Sequence, residues 1–122
     1  MLQKDDAEHP VPVSLRATFR QIVGAFAAGD FQLRDRPIGG VRSVEADTAK
    51  WIADNVSAYG ETLIPLDEQV WERSVYRWMD GHWDVVVDLT TTSEPVSDLA
   101  LFAKLYETGD DATLEIYGVY VP

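Results

Sequence analysis

The feature that most narrows the fold is a pair of turn dipeptides, Asp80-Gly81 and Gly109-Asp110, each set between two apolar segments. Asp-Gly between strand-like runs is a strong hairpin signal, because the tight turns that match strand twist need positive φ at their central positions. A hairpin fixes a register, and a slip of one residue would exchange the two faces. With Asp80-Gly81 as the turn, Trp78 faces Trp83, Tyr76 faces Val85 and Ser74 faces Val87, while on the other side Arg77 meets Asp84, Val75 meets Val86 and Arg73 meets Asp88. One face is aromatic and aliphatic and the other is a ladder of opposite charges about a valine pair, a combination that cross-strand packing favours. With Gly109-Asp110 as the second turn, Leu105 faces Leu114, Ala103 faces Ile116, Leu101 faces Gly118 and Leu99 faces Tyr120. The reverse face then pairs Lys104 with Glu115, Phe102 with Tyr117 and Ala100 with Val119. Strands are expected over 69–79, 83–90, 99–107 and 112–121.

Upstream the period changes. Leu15, Phe19, Ile22, Val23 and Phe26 share one stripe of a helix that Ser14 would cap and Gly29 would end. A second helix is expected after Ser43, with Val44, Thr48, Ile52, Val56 and Tyr59 on one face and Gly60 as its stop. Between them, 31–42 carries Pro37, Gly39 and Gly40 and reads as a loop. Helices with one apolar face must lie on something apolar. The implied fold class is α+β, with two N-terminal helices packed on one face of a four-stranded, mainly antiparallel β-sheet made of two hairpins. Residues 62–66 contain Pro65 and make at best an edge strand. The linker 91–99 leaves strand order open, and a sheet rolled around the first helix, of cystatin-like shape, also satisfies the pattern. Residues 1–12 read as a flexible tail and 13–122 as a single domain.

Charge narrows the partners. The 122 residues carry a formal charge of -11, and it is unevenly placed: 62–122 holds twelve acids against three bases. A surface of that sign repels phosphate backbones, so nucleic acid is not expected as a partner, whereas a basic protein is. There is no cysteine, hence no thiolate metal site and no cysteine nucleophile. No apolar run approaches the roughly 18 residues of a membrane span, and the polar opening MLQKDDAEHP lacks a signal-peptide core. No membrane association is expected, and the location read from this is cytoplasmic.

Candidate chemistry is sparse. Asp80, His82 and Asp84 alternate about a turn, but a hairpin exposes one of them to water, so no metal is expected there; no cofactor motif is present, and Gly39-Gly40 fits neither a dinucleotide nor a phosphate loop. Arg34, Arg36 and Arg42 flank those glycines as a basic island that could hold an anion, or that offsets Asp30 and Asp35. Tyr76, Trp78 and Trp83 are core beneath the helices or, if the sheet curls, the lining of a pocket in a small-molecule-binding or enzymatic domain. The candidate interaction face is the outward ladder: Trp71, Arg73, Val75, Arg77, Asp84, Val86, Asp88, Phe102, Lys104, Tyr106, Glu115, Tyr117 and Val119. Apolar groups at its centre would stand in water, and such patches mark interaction sites. The expected function is a non-enzymatic protein-binding domain, either self-associating as a homodimer or meeting a basic partner, an inhibitor or immunity-type protein being one form.

Gly81-His82-Trp83-Asp84-Val85-Val86-Val87-Asp88-Leu89, Ser97-Asp98-Leu99 and the closing Ile116-Tyr117-Gly118-Val119-Tyr120-Val121 resemble a set of small bacterial single-domain proteins of uncharacterised function, as do Ala27-Ala28-Gly29-Asp30-Phe31 and Tyr59-Gly60-Glu61-Thr62-Leu63. The resemblance implies an α+β domain and transfers no site residues. Phe26 to Phe31 alone is similar to the opening of nuclear-transport-factor-2-like domains, which hold small molecules in a conical pocket.

Overall fold

A computed structural model describes residues 2–122; Met1, the first residue of the expected tail, lies outside them. The first hairpin adopts the register its side chains favour. β2 (Val75–Trp78) and β3 (Trp83–Asp88) run antiparallel with Val75 opposite Val86, Tyr76 opposite Val85, Arg77 opposite Asp84 and Trp78 opposite Trp83. Asp80 and Gly81 both take positive φ, 55° and 136°, at the turn. The expected strand over 69–79 is shorter than its apolar pattern suggested. Asp67 accepts a hydrogen bond from the Gln69 amide at 2.9 Å and starts a 3-10 turn, Glu68–Glu72, in place of strand. Ser74, buried just after it, accepts from the Asp88 amide at 3.0 Å and donates to the Val70 carbonyl at 2.6 Å, so a hydroxyl stands in for a ladder rung.

The second hairpin, β4 (Ala100–Thr108) and β5 (Asp111–Tyr120), keeps the expected pairs from Thr108 opposite Asp111 to Ala103 opposite Ile116. Beyond Ala103 the register shifts, so that Phe102 lies opposite Gly118, Leu101 opposite Val119 and Ala100 opposite Tyr120. Tyr117 is the extra residue of a β-bulge, which reverses the facing of the residues after it. The four pairings expected past this point, Leu101 with Gly118, Leu99 with Tyr120, Phe102 with Tyr117 and Ala100 with Val119, are corrected accordingly. Val119 goes to the core at 0% exposure, and Tyr120 turns outward to stack on Phe102 with ring centroids 4.1 Å apart.

The described strands are ordered β1-β2-β3-β4-β5, a simple antiparallel meander of five strands where four were expected. The fifth is β1 (His9–Pro10), paired to Tyr76 and Val75 of β2. Its residues were expected in a tail; instead Val11 is fully buried, because a short apolar anchor beside an open strand edge both pairs backbone and buries side chain. α1 (Val13–Ala27) lays Phe19, Ile22, Val23 and Phe26 on the inner sheet face, in one cluster with Val85, Val87, Leu101, Leu114, Ile116 and Val119. Each large side chain buried there contributes about 1.5–3 kcal/mol. Pro12, not Ser14, holds the capping position and no side chain caps the helix, whereas Gly29 ends it as expected at φ 88°, with the Asp30 amide reaching the Ala25 carbonyl at 2.9 Å. α2 (Ala46–Tyr59) starts after Glu45, two residues later than expected, and ends on left-handed Gly60. It lies along β5, where the Asn55 amide donates to the Val119 carbonyl at 2.9 Å. The loop before it also joins the β5 edge: the Arg42 amide donates to the Leu114 carbonyl, and the Leu114 amide to the Gly40 carbonyl. β2 and β5 thus each gain a backbone partner over part of their outer edges, from β1 and from this loop.

The bulge has a local requirement. A Cβ added at Gly118 would come within 2.9 Å of the Trp51 ring and 3.0 Å of Tyr120. Gly118→Val is expected to destabilise the fold by about 1–3 kcal/mol through overpacking. In a double-mutant cycle followed by urea denaturation, Trp51→Ala should relieve part of that cost. An equal cost in both backgrounds would show that the Trp51 contact is not what selects glycine.

Candidate functional site

No helix of the described residues covers the outward sheet face, and its middle is an aromatic strip. Phe102 stacks on Tyr120, Tyr117 lies 6.1 Å from Phe102, and Trp51 reaches from α2 to within 5.6 Å of Tyr120, all between ring centroids. The strip is graded in exposure: Phe102 is 8% exposed beneath its neighbours, whereas Trp51 is 45% exposed. Trp51 and Tyr120 were outside the expected face. The signal for them was Gly118 itself, since a glycine inside a strand often marks a close approach by another group.

The charges around the strip are paired differently from the simple ladder. Arg73 and Asp88 meet at 3.6 Å. Arg77 lies opposite Asp84 in the register, but Asp84 instead accepts from His82 at 3.1 Å, and Arg77 makes no ion pair among the described residues. Glu115 lies opposite Lys104 but pairs with Arg42 at 2.6 Å, leaving the Lys104 ammonium 5.2 Å from the Tyr117 ring centroid. Tyr106 completes this end of the face, with His82 at 5.5 Å and the Arg42 guanidinium at 5.3 Å from its ring. Val75 and Val86 are half-buried between the charged rows.

Two residues expected on this face are elsewhere. Trp71 belongs to the 3-10 turn and is buried at 4% exposure beneath Arg16 and Arg20, whose guanidinium carbons lie 5.3 and 5.6 Å from its ring. Val119 is in the core because the bulge turned it inward. The basic island is divided as well. Arg42 is engaged by Glu115 and Tyr106, while the loop of Arg34 and Arg36 is organised by an acid, the Asp30 carboxylate accepting from the Arg34 and Asp35 amides at 3.1 and 3.0 Å.

The expected aromatic pocket is closed by the N-terminal segment, beside the start of α1. Tyr76 and Trp83 are buried, the Trp83 indole donating to the Gln3 carbonyl at 2.9 Å and the Gln3 amide donating to the Tyr76 hydroxyl at 3.0 Å. Beside this strap runs a cleft of about 630 Å³, with Tyr76, Trp83 and Leu105 in its lining and Glu107, Asp110 and Asp111 at its acidic end; Trp78 lies outside that lining.

Two imidazole–carboxylate pairs exist, His9 with Asp5 at 2.8 Å and His82 with Asp84 at 3.1 Å, and among the described residues no Ser or Thr hydroxyl is hydrogen-bonded to either ring. No three His, Asp or Glu side chains among the described residues are grouped as a metal ion would require. No helix of the described chain is long and apolar enough to cross a membrane.

Residues 23–122 match a domain of unknown function, DUF7668. The chain belongs to that family. No curated protein and no solved structure is matched by the chain. The matched span contains the whole outward strip and the aromatic residues of β2 and β3, while β1 and residues 2–8 precede it.

Two titrations report on the outward face. Burial raises the Asp88 carboxyl above its ordinary 3.8, with Arg73 pulling the other way. A raised carboxyl favours the fold when protonated, so its contribution is complete below 3.8 and is lost as pH rises through the shifted value. Asp88→Asn is therefore expected to be more stable than the parent at neutral pH, with an advantage that closes in acid; urea midpoints at both ends of the range check it. Burial, then the charge of Asp84 and the neighbouring Tyr120, push the Tyr117 phenol up to about 12 from 10.0. The unfolded chain loses that proton first, so stability should fall as pH rises above 10 and fall less in Tyr117→Phe. An ultraviolet titration should show the last tyrosinate to form in the parent missing from the variant, leaving Tyr59, which its hydrogen bond to Glu94 also raises, as the remaining late phenol.

Proposed function

We propose that this DUF7668 protein is a non-enzymatic binding domain whose outward sheet face docks a basic protein. The observation that carries the reading is the outward aromatic strip of Tyr117, Phe102, Tyr120 and half-exposed Trp51, bordered by Asp84, Asp88 and Glu115 and by the cations Arg42, Arg73, Arg77 and Lys104 in a chain whose overall charge is -11. Aromatic anchors surrounded by polar groups are the usual anatomy of a binding hot spot. Charge favours a basic partner over a second copy, because self-association would bring two chains of -11 together and would be opposed by repulsion at low salt. An inhibitor of a basic enzyme or toxin is one concrete form of such a protein.

Capture from a lysate of the source cell, followed by titration of the purified captured protein, tests the reading. A basic partner should bind the parent, weaken with added salt, and bind about tenfold or more weakly to Trp51→Ala, a loss typical of an aromatic anchor. Far-ultraviolet circular dichroism would confirm that the variant is folded. A concentration-dependent dimer by sedimentation that Trp51→Ala dissolves would replace the basic partner with a second copy. A partner indifferent to Trp51→Ala and Tyr120→Ala would remove this face from consideration.

A further inference from the structure

Away from the outward strip, the far end of the inner sheet face holds a cation between two indoles and a carboxylate. Trp78 and Trp83 meet edge to face with centroids 4.8 Å apart and a 60° interplanar angle, forming a two-walled aromatic corner. The ammonium of Lys4 lies 5.0 Å from the Trp78 ring centroid and 5.5 Å from that of Trp83, and 2.7 Å from Glu107. Trp faces attract cations through the ring quadrupole, and a carboxylate on the third side adds an ion pair and a charge-assisted hydrogen bond. The corner is laid out by the sheet, Trp78 opposite Trp83 in the β2–β3 register and Glu107 on β4 opposite Ala112, and the Trp83 indole is held in addition by the Gln3 carbonyl. The three belong to the span matched to the family, whereas Lys4 precedes it.

Lys4 reaches the corner on the segment that Gln3 fastens to Tyr76 and Trp83, and its own side chain stays 47% exposed. A side chain so exposed is held by only a small free energy. Next to it the open cleft of about 630 Å³ offers Tyr76 and Leu105 as apolar lining and Asp110 and Asp111 as further acids. Space, apolar surface, aromatic faces and negative charge converge on one ligand chemistry, an ammonium group on an aliphatic stem.

We propose that Trp78, Trp83 and Glu107 form an alkylammonium-binding site, with Lys4 as its built-in occupant and competitor. The ligand is either a free aliphatic amine or a lysine side chain presented by another polypeptide. The site is separate from the outward strip, so it can fail while the docking reading stands, and the reverse. A tethered competitor reduces the apparent affinity for an outside ligand to the intrinsic affinity multiplied by the fraction of molecules in which the site is open.

The test is a titration followed by the indole N–H signals of Trp78 and Trp83 in ¹⁵N-labelled protein, with pentylammonium, with pentanol as its neutral counterpart, and with a blocked Gly-Lys-Gly peptide. In Lys4→Met, which keeps the stem and removes the charge, pentylammonium should shift both signals saturably and bind about five- to tenfold more tightly than in the parent. Adding Glu107→Gln should weaken binding about tenfold, the usual worth of a charge-assisted contact. Saturable shifts with the peptide but not with the amine would assign the lysine of a polypeptide; the converse would assign a free amine. Equal binding by parent and Lys4→Met, indifference to Glu107→Gln, or an equal response to pentanol would overturn the site. Should Lys4→Met disturb the strap, visible as loss of the Trp83 indole signal position before any addition, Lys4→Gln with and without Glu107→Gln repeats the comparison in a background free of the competing ammonium: pentylammonium binding indifferent to Glu107→Gln there refutes the proposal.

Discussion

One extra residue in β5, Tyr117, decides which groups this sheet shows to solvent. Because it has no partner on β4, everything after it faces the opposite way: Val119 enters the core and Tyr120 leaves it to lie on Phe102. Gly118, carrying no side chain, leaves the space that the Trp51 ring occupies. The outward strip therefore draws on both α2 and the sheet. A regular ladder would have placed a tyrosine in the core and a valine in water, which apolar burial and the phenol's need for a hydrogen-bond partner both oppose.

The inner face is closed by two different covers. α1 spans the aliphatic part with Phe19, Ile22, Val23 and Phe26. Toward the Asp80-Gly81 turn the cover is the N-terminal segment, fastened by the Gln3 backbone and Lys4. A helix contributes a continuous apolar stripe, but a strap of polar residues contributes a few hydrogen bonds and one ion pair. The second cover is accordingly the weaker one, and the open cleft lies alongside it. Its charge matters too, because the acidity of the second half of the chain is left uncompensated at the hairpin end near Asp110 and Asp111 and gives any approaching cation a favourable field.

Much of this was legible in the linear pattern. Asp80-Gly81 and its flanking alternation predicted all four β2–β3 pairs, and the stripe from Phe19 to Phe26 predicted the buried face of α1. The candidate face was legible where strand period alone governs it, as at Val75, Asp84, Val86, Asp88, Lys104, Tyr106 and Tyr117. It was not legible at Trp71, where a side-chain cap from Asp67 outcompeted strand, nor at Val119, downstream of the bulge. The pairing of Arg42 with Glu115 spans 73 residues, and no local spacing announces such a contact.

The sequence by itself determined the two helices, the two hairpins and the early register of each, because hydrophobic period and turn chemistry act over a few neighbouring residues. Only the tertiary structure decided that His9 and Pro10 complete the sheet, that Trp51 joins the outward strip, and that Lys4 sits between Trp78, Trp83 and Glu107. Those outcomes depend on which distant surfaces remain uncovered once the core has formed. The free energy that settles them comes from burying what is left, and no short stretch of chain contains that information.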